Sequence, residues 1–180
     1  MSALGGTTLN SRRVHAGRVF DLHVASVELA TGVTFEMEVI RHPGAAAIVA
    51  LSEIGQVLLL RQYRHSVETV LWEIPAGTRD AGEAPLSCAR RELEEETGFA
   101  ASRWEPMGEL LPVPGYADER IHLFLASGLT ASRQCLDRDE QITVHALDFE
   151  EALHLIDTGE IYDGKTVAAL LKADRLRRRS

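Results

Sequence analysis

The chain is short of cysteine, of aromatic side chains and of positive charge, and each shortage excludes something. Only two cysteines occur in 180 residues, Cys88 and Cys135. They form no CxxC pair and no framework of even spacings, so free thiols in a reducing compartment are expected. Lysine and arginine number 19 against 27 acidic residues, for a net charge of −8 and a sequence pI near 5.4. Proteins that grip nucleic acid generally carry a basic face, so no nucleic-acid partner is expected. No apolar run approaches the roughly 18 residues that span a bilayer, and no membrane partner is expected either. Met1–Gly6 lacks the basic and apolar blocks of a signal peptide, which points to the cytoplasm. The seven histidines show no HxxxH or HExxH spacing, leaving a zinc site of that kind without ligands.

At 45% hydrophobic and 26% charged, the chain can bury a core and is not disordered by composition. Val19 to Leu29 and Val33 to Ile40 read as strands around a Thr31-Gly32 turn. Ala45 to Leu51 is a short, almost wholly apolar run, as in a strand covered on both faces. Glu53-Ile54-Gly55 turns the chain into Gln56 to Arg64, and the two segments predict a hairpin through the middle of a sheet. The period then changes. Leu86, Ala89 and Leu93 make one apolar helical stripe between Ala84 and Thr97. Pro85 sits near its start and Gly98 just past its end. Further strands are expected at Ile121–Ala126 and Ile142–Leu147, and helices from Asp148 through Ile156 and from Thr166 to Leu176. The terminal arginine cluster, Arg175 and Arg177–Arg179, complements a helix C-terminus. Irregular mixing of strands and helices favours an α/β sandwich with a mixed sheet over a doubly wound fold.

The chemistry concentrates between Gly77 and Phe99. At about 100° per residue, Glu92, Glu95 and Glu96 share one face of the predicted helix while Glu94 points elsewhere. Close like charges there repel by roughly 1 kcal/mol per pair in water and more at reduced dielectric. Within the helix, only Arg91 is placed to offset part of that charge. A hard divalent cation would offset more, since Mg²⁺ takes oxygen ligands and bridges to substrate phosphates. A glutamate run is usually just a solvated face, so the surroundings decide. Gly77, Glu83, Arg91, Glu92, Leu93, Glu95, Glu96, Gly98 and Phe99 stand at a spacing of x5, x7, x and x between their blocks. Seven fixed matches arise by chance on the order of once in a hundred million starts or less often.

That spacing resembles the Nudix box, and the resemblance extends from about Arg18 to about Ala173. It implies an α/β/α sandwich with a mixed β-sheet, preceded by an N-terminal antiparallel strand region. It also implies hydrolysis of a nucleoside diphosphate linked to another moiety, with Mg²⁺ or Mn²⁺ as cofactor. Glu92 and Glu96 would be metal ligands, the carbonyl of Ala76 another, and Glu95 a ligand or a base. Glu83 would orient the helix or the metal's waters, and Arg91 would bridge Glu83 and nearby carboxylates. Glu73-Ile74-Pro75-Ala76-Gly77, Arg61-Gln62-Tyr63-Arg64 and Pro114-Gly115 resemble segments of ADP-ribose pyrophosphatases and their nucleotide-sugar relatives.

The implied substrate is therefore ADP-ribose, cleaved to AMP and ribose 5-phosphate, with GDP-mannose or another nucleotide sugar as the alternative. A non-catalytic nucleotide-binding domain is the third reading, disfavoured by the intact box. Substrate contacts are expected from Arg64, Glu73, Pro114 and Gly115, and base or ribose contacts from Arg18, Val19 and Arg41. The acidic loop Asp137-Arg138-Asp139-Glu140 departs from the family's run of acids by placing Arg138 at its second position. Glu140 is the preferred catalytic base, with Glu95 and Glu119 behind it. Residues 1–44 would form a β arm that builds a homodimer, exchanging strands between subunits, and residues 45–180 the hydrolase domain.

Overall fold

The structure is a computed structural model, and it describes residues 4–179. Residues 1–3, part of the stretch read for a signal peptide and of the expected arm, and residue 180 of the expected body lie outside the described residues. The chain divides into two units, Met1–Gly44 with Leu111–Arg120, and Ala45–Leu110 with Ile121–Ser180. The loop 111–120 thus groups with the N-terminal strands and not with the body on either side of it in sequence.

The first unit is an antiparallel sheet of β1 (Gly6–Ala16), β2 (Asp21–Leu29) and β3 (Thr34–Arg41) in that order. The turn expected at Thr31-Gly32 closes the β2–β3 pair. Gly32 takes φ 83°, a left-handed conformation that favours glycine, and Leu29 N–H donates to the Val33 carbonyl at 2.9 Å. Strand β1 was not expected from the sequence, because its polar run GTTLNSRRVHA has no alternation. All of β1 is exposed, and Ala25 is the one buried apolar side chain among the unit's described residues. Loop 111–120 lies beside β3: Ile40 N–H donates to the Tyr116 carbonyl at 2.8 Å and Asp118 N–H to the Ile40 carbonyl at 3.1 Å.

The second unit runs β4 (Ala45–Leu51), β5 (Gln56–Arg64), β6 (Thr69–Glu73), β7 (Ala76–Thr78), α1 (Pro85–Thr97), β8 (Phe99–Leu110), β9 (Ile121–Ala131), β10 (Ile142–Asp148), α2 (Phe149–Asp157) and α3 (Gly164–Arg177). The sheet order is β10-β5-β4-β9-β8, with β6 also on β5 and β7 also on β4. β4 and β9 are parallel and the other pairs antiparallel, so the sheet is mixed as expected.

The continuous apolar run of β4 is explained by cover on both faces. Ala45, Ala47 and Val49 join a core with Leu59, Phe149, Ala169 and Leu170 of β5, α2 and α3. Ala46, Ile48 and Ala50 join a second core with Cys88, Ala89 and Leu93 of α1. Each fully buried Leu or Ile in these layers contributes about 1.5–3 kcal/mol.

The expected β4–β5 hairpin needs correction. The two strands pair only at Leu51↔Val57, next to their turn. Beyond it they part, β5 pairing with β10 and β6, and β4 with β9 and β7. The segment Glu73–Ala76 crosses the split, where Ile48 N–H donates to the Pro75 carbonyl at 2.9 Å. This break in the sheet is where the functional side chains gather.

Candidate active site

Helix α1 presents the carboxylates. Pro85 starts it, where a missing N–H costs nothing, and Gly98 ends it at φ 73°, its N–H reaching the Glu94 carbonyl. The stripe Cys88, Ala89 and Leu93 is fully buried, and this fixes the helix's rotation about its axis. Glu92 and Glu96, beside that stripe, are consequently drawn under cover at 8% and 2% exposure, whereas Glu94 faces solvent. Gly77 sets how closely β7 approaches. A Cβ there would sit 2.0 Å from the Glu92 carboxyl carbon, so only glycine admits that carboxylate.

The burial has an electrostatic consequence. Desolvation pushes the Glu92 carboxyl up to about 7, with Arg91 pulling it back and the charges of Glu95 and Glu140 adding to the rise. Glu96 is pushed well above the usual carboxylate range, again by burial and then by Glu92, against a hydrogen bond from Ala76 N–H at 2.8 Å. Arg91 is the principal counter-charge. Its guanidinium contacts Glu83 at 3.0 Å, Glu92 at 2.7 Å and Glu95 at 3.1 Å, and also donates to the Thr78 carbonyl. Its hydrogen bond holds the Glu83 carboxyl below the ordinary range. One arginine thus serves three carboxylates, leaving the cluster short of positive charge.

A divalent cation fits this donor set. The donors are carboxylate oxygens, hard ligands suited to Mg²⁺ or Mn²⁺, and two of them are buried at a cost that a cation relieves. Among the described residues, no three His, Cys, Asp or Glu side chains form a closed metal cage. Mg²⁺ does not require one, since it is usually held by one or two carboxylates with waters and substrate phosphates completing its shell.

Arg64, at the end of β5, faces this cluster from the sheet; the charge of Glu96 helps raise its pKa. Its Nε and Nη2 each donate at 2.7 Å to the two oxygens of Glu73, which is 1% exposed. Glu73 also pairs with Lys165 Nζ. With both oxygens engaged under cover, Glu73 holds Arg64 and does not itself stand open to a ligand. Burial opposes ionisation of Glu73, but the hydrogen bond from Arg64 and the charge of Lys165 more than reverse this and hold it below its usual range. Lys165 and Asp163 went unread in the sequence, where the final helix is expected to begin only at Thr166. Their signal was an aspartate in N-cap position three residues before Thr166.

The remaining candidates divide between the two units. Glu140 belongs with the carboxylates: it is half-buried, its charge acts on both Glu92 and Glu96, and its Oε2 accepts from Asp137 N–H at 2.9 Å. Arg138 in the same loop is exposed. In the first unit, Arg41 pairs with Asp118 at 3.0 Å, and Glu119 lies 3.7 Å from His42 Nδ1. Val19 and Arg41 line a cavity of about 310 Å³ with Phe20 and His42. Arg18 and Gly115 are exposed, while Pro114 lies on the same loop exposed to solvent.

A NUDIX domain model matches residues 41–170. An ADP-ribose pyrophosphatase of Bacillus subtilis (strain 168) is 38% identical over 172 residues, spanning 94% of this chain and 93% of the relative. A methanol dehydrogenase activator of Bacillus methanolicus is 41% identical over 165 residues, with 91% and 89% covered. Among solved structures, an ADP compounds hydrolase aligns with a TM-score of 0.85 at 23% identity, over 99% of this chain and 97% of that one. This last likeness establishes the shared fold.

Proposed function

The chain belongs to the NUDIX domain family of hydrolases, and from that premise we propose that it cleaves the diphosphate of ADP-ribose to AMP and ribose 5-phosphate. The observation that carries this reading is the pair of buried, mutually repelling carboxylates Glu92 and Glu96 facing an arginine held by its inner edge. In this reading Glu92, Glu95, Glu96 and the Ala76 carbonyl hold Mg²⁺, with Mn²⁺ as a substitute. When bound, the cation supplies charge that polarises a phosphoryl oxygen and acidifies water.

The chain's own groups do the rest. Arg64, with Nε and Nη2 committed to Glu73, offers Nη1 to the diphosphate; a guanidinium of fixed orientation suits a planar pair of phosphate oxygens. Glu140 accepts the proton of the attacking water, its loop being the acidic element whose charge acts on Glu92 and Glu96; Glu95 and Glu119 are the alternates. Arg18, Val19 and Arg41, with Pro114 and Gly115, contact the base, ribose or phosphates.

The N-terminal sheet supports a homodimer built through residues 1–44, because β1 is exposed throughout and leaves one edge unpaired among the described residues. Two free thiols among the described residues suit a cytoplasmic setting, and among those residues no helix is long and apolar enough to cross a membrane.

Steady-state kinetics on ADP-ribose and GDP-mannose with Mg²⁺ test the assignment. ADP-ribose should give the larger kcat/KM, and Glu96→Gln should lower it about a thousandfold, equivalent to several kcal/mol of lost charge stabilisation. A larger kcat/KM on GDP-mannose selects the alternative sugar. Nucleotide binding without hydrolysis in either Mg²⁺ or Mn²⁺ selects a non-catalytic domain. Hydrolysis in ¹⁸O-water then locates the phosphorus that is attacked.

A further inference from the structure

We propose that the first turn of α3 is a positioning site for Arg64, with Lys165 as the residue that sets it. This rests on the reading of Arg64 as a ligand for substrate phosphate. The starting point is that Glu73 is more heavily partnered than an Arg–Glu pair requires. Arg64 already satisfies both carboxylate oxygens in a two-pronged contact at 2.7 Å. Lys165 Nζ nevertheless reaches the same Oε2 from α3, ninety-two residues along the chain. Its side chain is 14% exposed, so a second cation has been taken out of water to sit there.

The second cation changes what Arg64 can do. Lys165 is itself paired with Asp163 at 3.0 Å, so the two cations and two carboxylates balance and what the lysine adds to Arg64 is orientation. Lys165 prevents Glu73 from swinging to follow the guanidinium, so the fork points one way before substrate arrives.

The turn that carries Lys165 is itself fixed. Asp163 caps α3, accepting from Thr166 N–H at 3.0 Å and from the Thr166 hydroxyl at 2.6 Å, and it contacts Lys165 Nζ at 3.0 Å. Thr166 Oγ1 in turn accepts from the N–H of Ile74, the residue after Glu73, at 3.0 Å. The turn therefore grips this stretch twice, through the Glu73 side chain and through the Ile74 backbone. Two residues further on, Ala76 N–H donates to Glu96. One helix start thus sets the arginine and steadies the strand beside the buried carboxylate. Lys165 touches no reacting atom in this scheme and acts through Glu73 and Arg64.

A double-mutant cycle on the full-length protein tests this, with ADP-ribose as substrate and saturating Mg²⁺. Arg64→Ala and Lys165→Met are each expected to raise KM about ten- to a hundredfold, the scale on which outer partners of a functional group act, with kcat falling less. The double variant should be no worse than Arg64→Ala alone, and Lys165→Arg should restore most of the loss. A purely structural lysine would instead multiply its effect with that of Arg64→Ala, and that result overturns the inference. So does an unchanged KM in Lys165→Met when Arg64→Ala raises it. If Arg64→Ala leaves KM unaltered, the phosphate reading fails first and takes the inference with it. Should Lys165→Met not fold, Lys165→Gln, which keeps a hydrogen-bond donor but no charge, enters the same cycle with the same criteria.

Discussion

At the scale of single residues, the site is governed by carboxylates that are buried before anything neutralises them. Glu92 is the measurable case, because its folded pKa lies near 7 against an ordinary 4.5. A carboxyl raised on folding binds more protons in the native state than in the unfolded one between those two values, so stability falls as pH rises through that window. Metal-free protein should therefore lose melting temperature between about pH 4.5 and 7 from this group, and a cation that needs the ionised form should restore it. Thermal melts in EDTA and in Mg²⁺ are expected to show a larger metal-induced shift at pH 8 than at pH 5.5, a difference that shrinks in Glu92→Gln. Equal shifts at both pH values would count against Glu92 as a ligand. Glu73 has the opposite sign. Its depressed pKa gives stability that is present above pH 4.5 and is lost as pH falls through its folded value. Gly77→Ala tests the same carboxylate sterically: its Cβ would fall 2.0 Å from Glu92. The variant should fold, yet need much more Mg²⁺ for half-maximal activity; an unaltered Mg²⁺ titration would contradict the close approach of β7.

At the scale of elements, what could be read from sequence followed from how local the determinant was. Helix α1 was legible because its pattern is complete within one short stretch: the proline start, the apolar stripe, the glycine stop and the carboxylate face all lie between Ala84 and Gly98. The two-sided cover of β4 was legible for the same reason, since a run of Ala, Ile and Val with no polar alternation has only one way to be satisfied. Strand β8 was not. Pro106 and Gly108 interrupt it, and its register slips between them, a bulge on a strand at the sheet's edge. The split between β4 and β5 also left no local mark, because β10, the partner that draws β5 away, arrives dozens of residues later. The start of α3 lay between these cases. Asp163 was a readable cap, but its importance to Glu73 depends on a contact spanning ninety-two residues. Removing that cap is measurable by itself. Asp163→Ala should cost about 1 kcal/mol, or roughly 2–4 °C in Tm for a protein of this size, whereas Asp163→Asn, an equally good cap, should restore most of it. Equal melting of the alanine and wild-type proteins would mean that α3 does not rely on Asp163.

At the scale of the whole molecule, the N-terminal sheet poses a stability problem that the rest of the chain does not share. A sheet survives by burying a face, yet among the described residues only Ala25 of its apolar side chains is buried, while Leu9, Val14, Phe20, Val33 and Phe35 stand 41–56% exposed. Strand β1 adds eleven residues of backbone that, among the described residues, are paired with β2 alone. Long open edges of this kind invite pairing with another chain unless charge, proline or a bulge blunts them. Register shifts at Thr8/Asn10 and Arg13/His15 bend β1 without shortening it. A second copy of the chain is the partner that is always present at matching concentration, and a symmetric association would cover apolar side chains and edge at once. Sedimentation equilibrium of the intact protein should therefore give a dimer at micromolar concentration, and Leu9→Lys with Val14→Lys should shift it toward monomer. Those two side chains belong to the arm, so the α1 carboxylates should keep their Mg²⁺ affinity in the variant. A wild-type monomer across that range would leave the exposed sheet unexplained and remove the dimer from the proposed function.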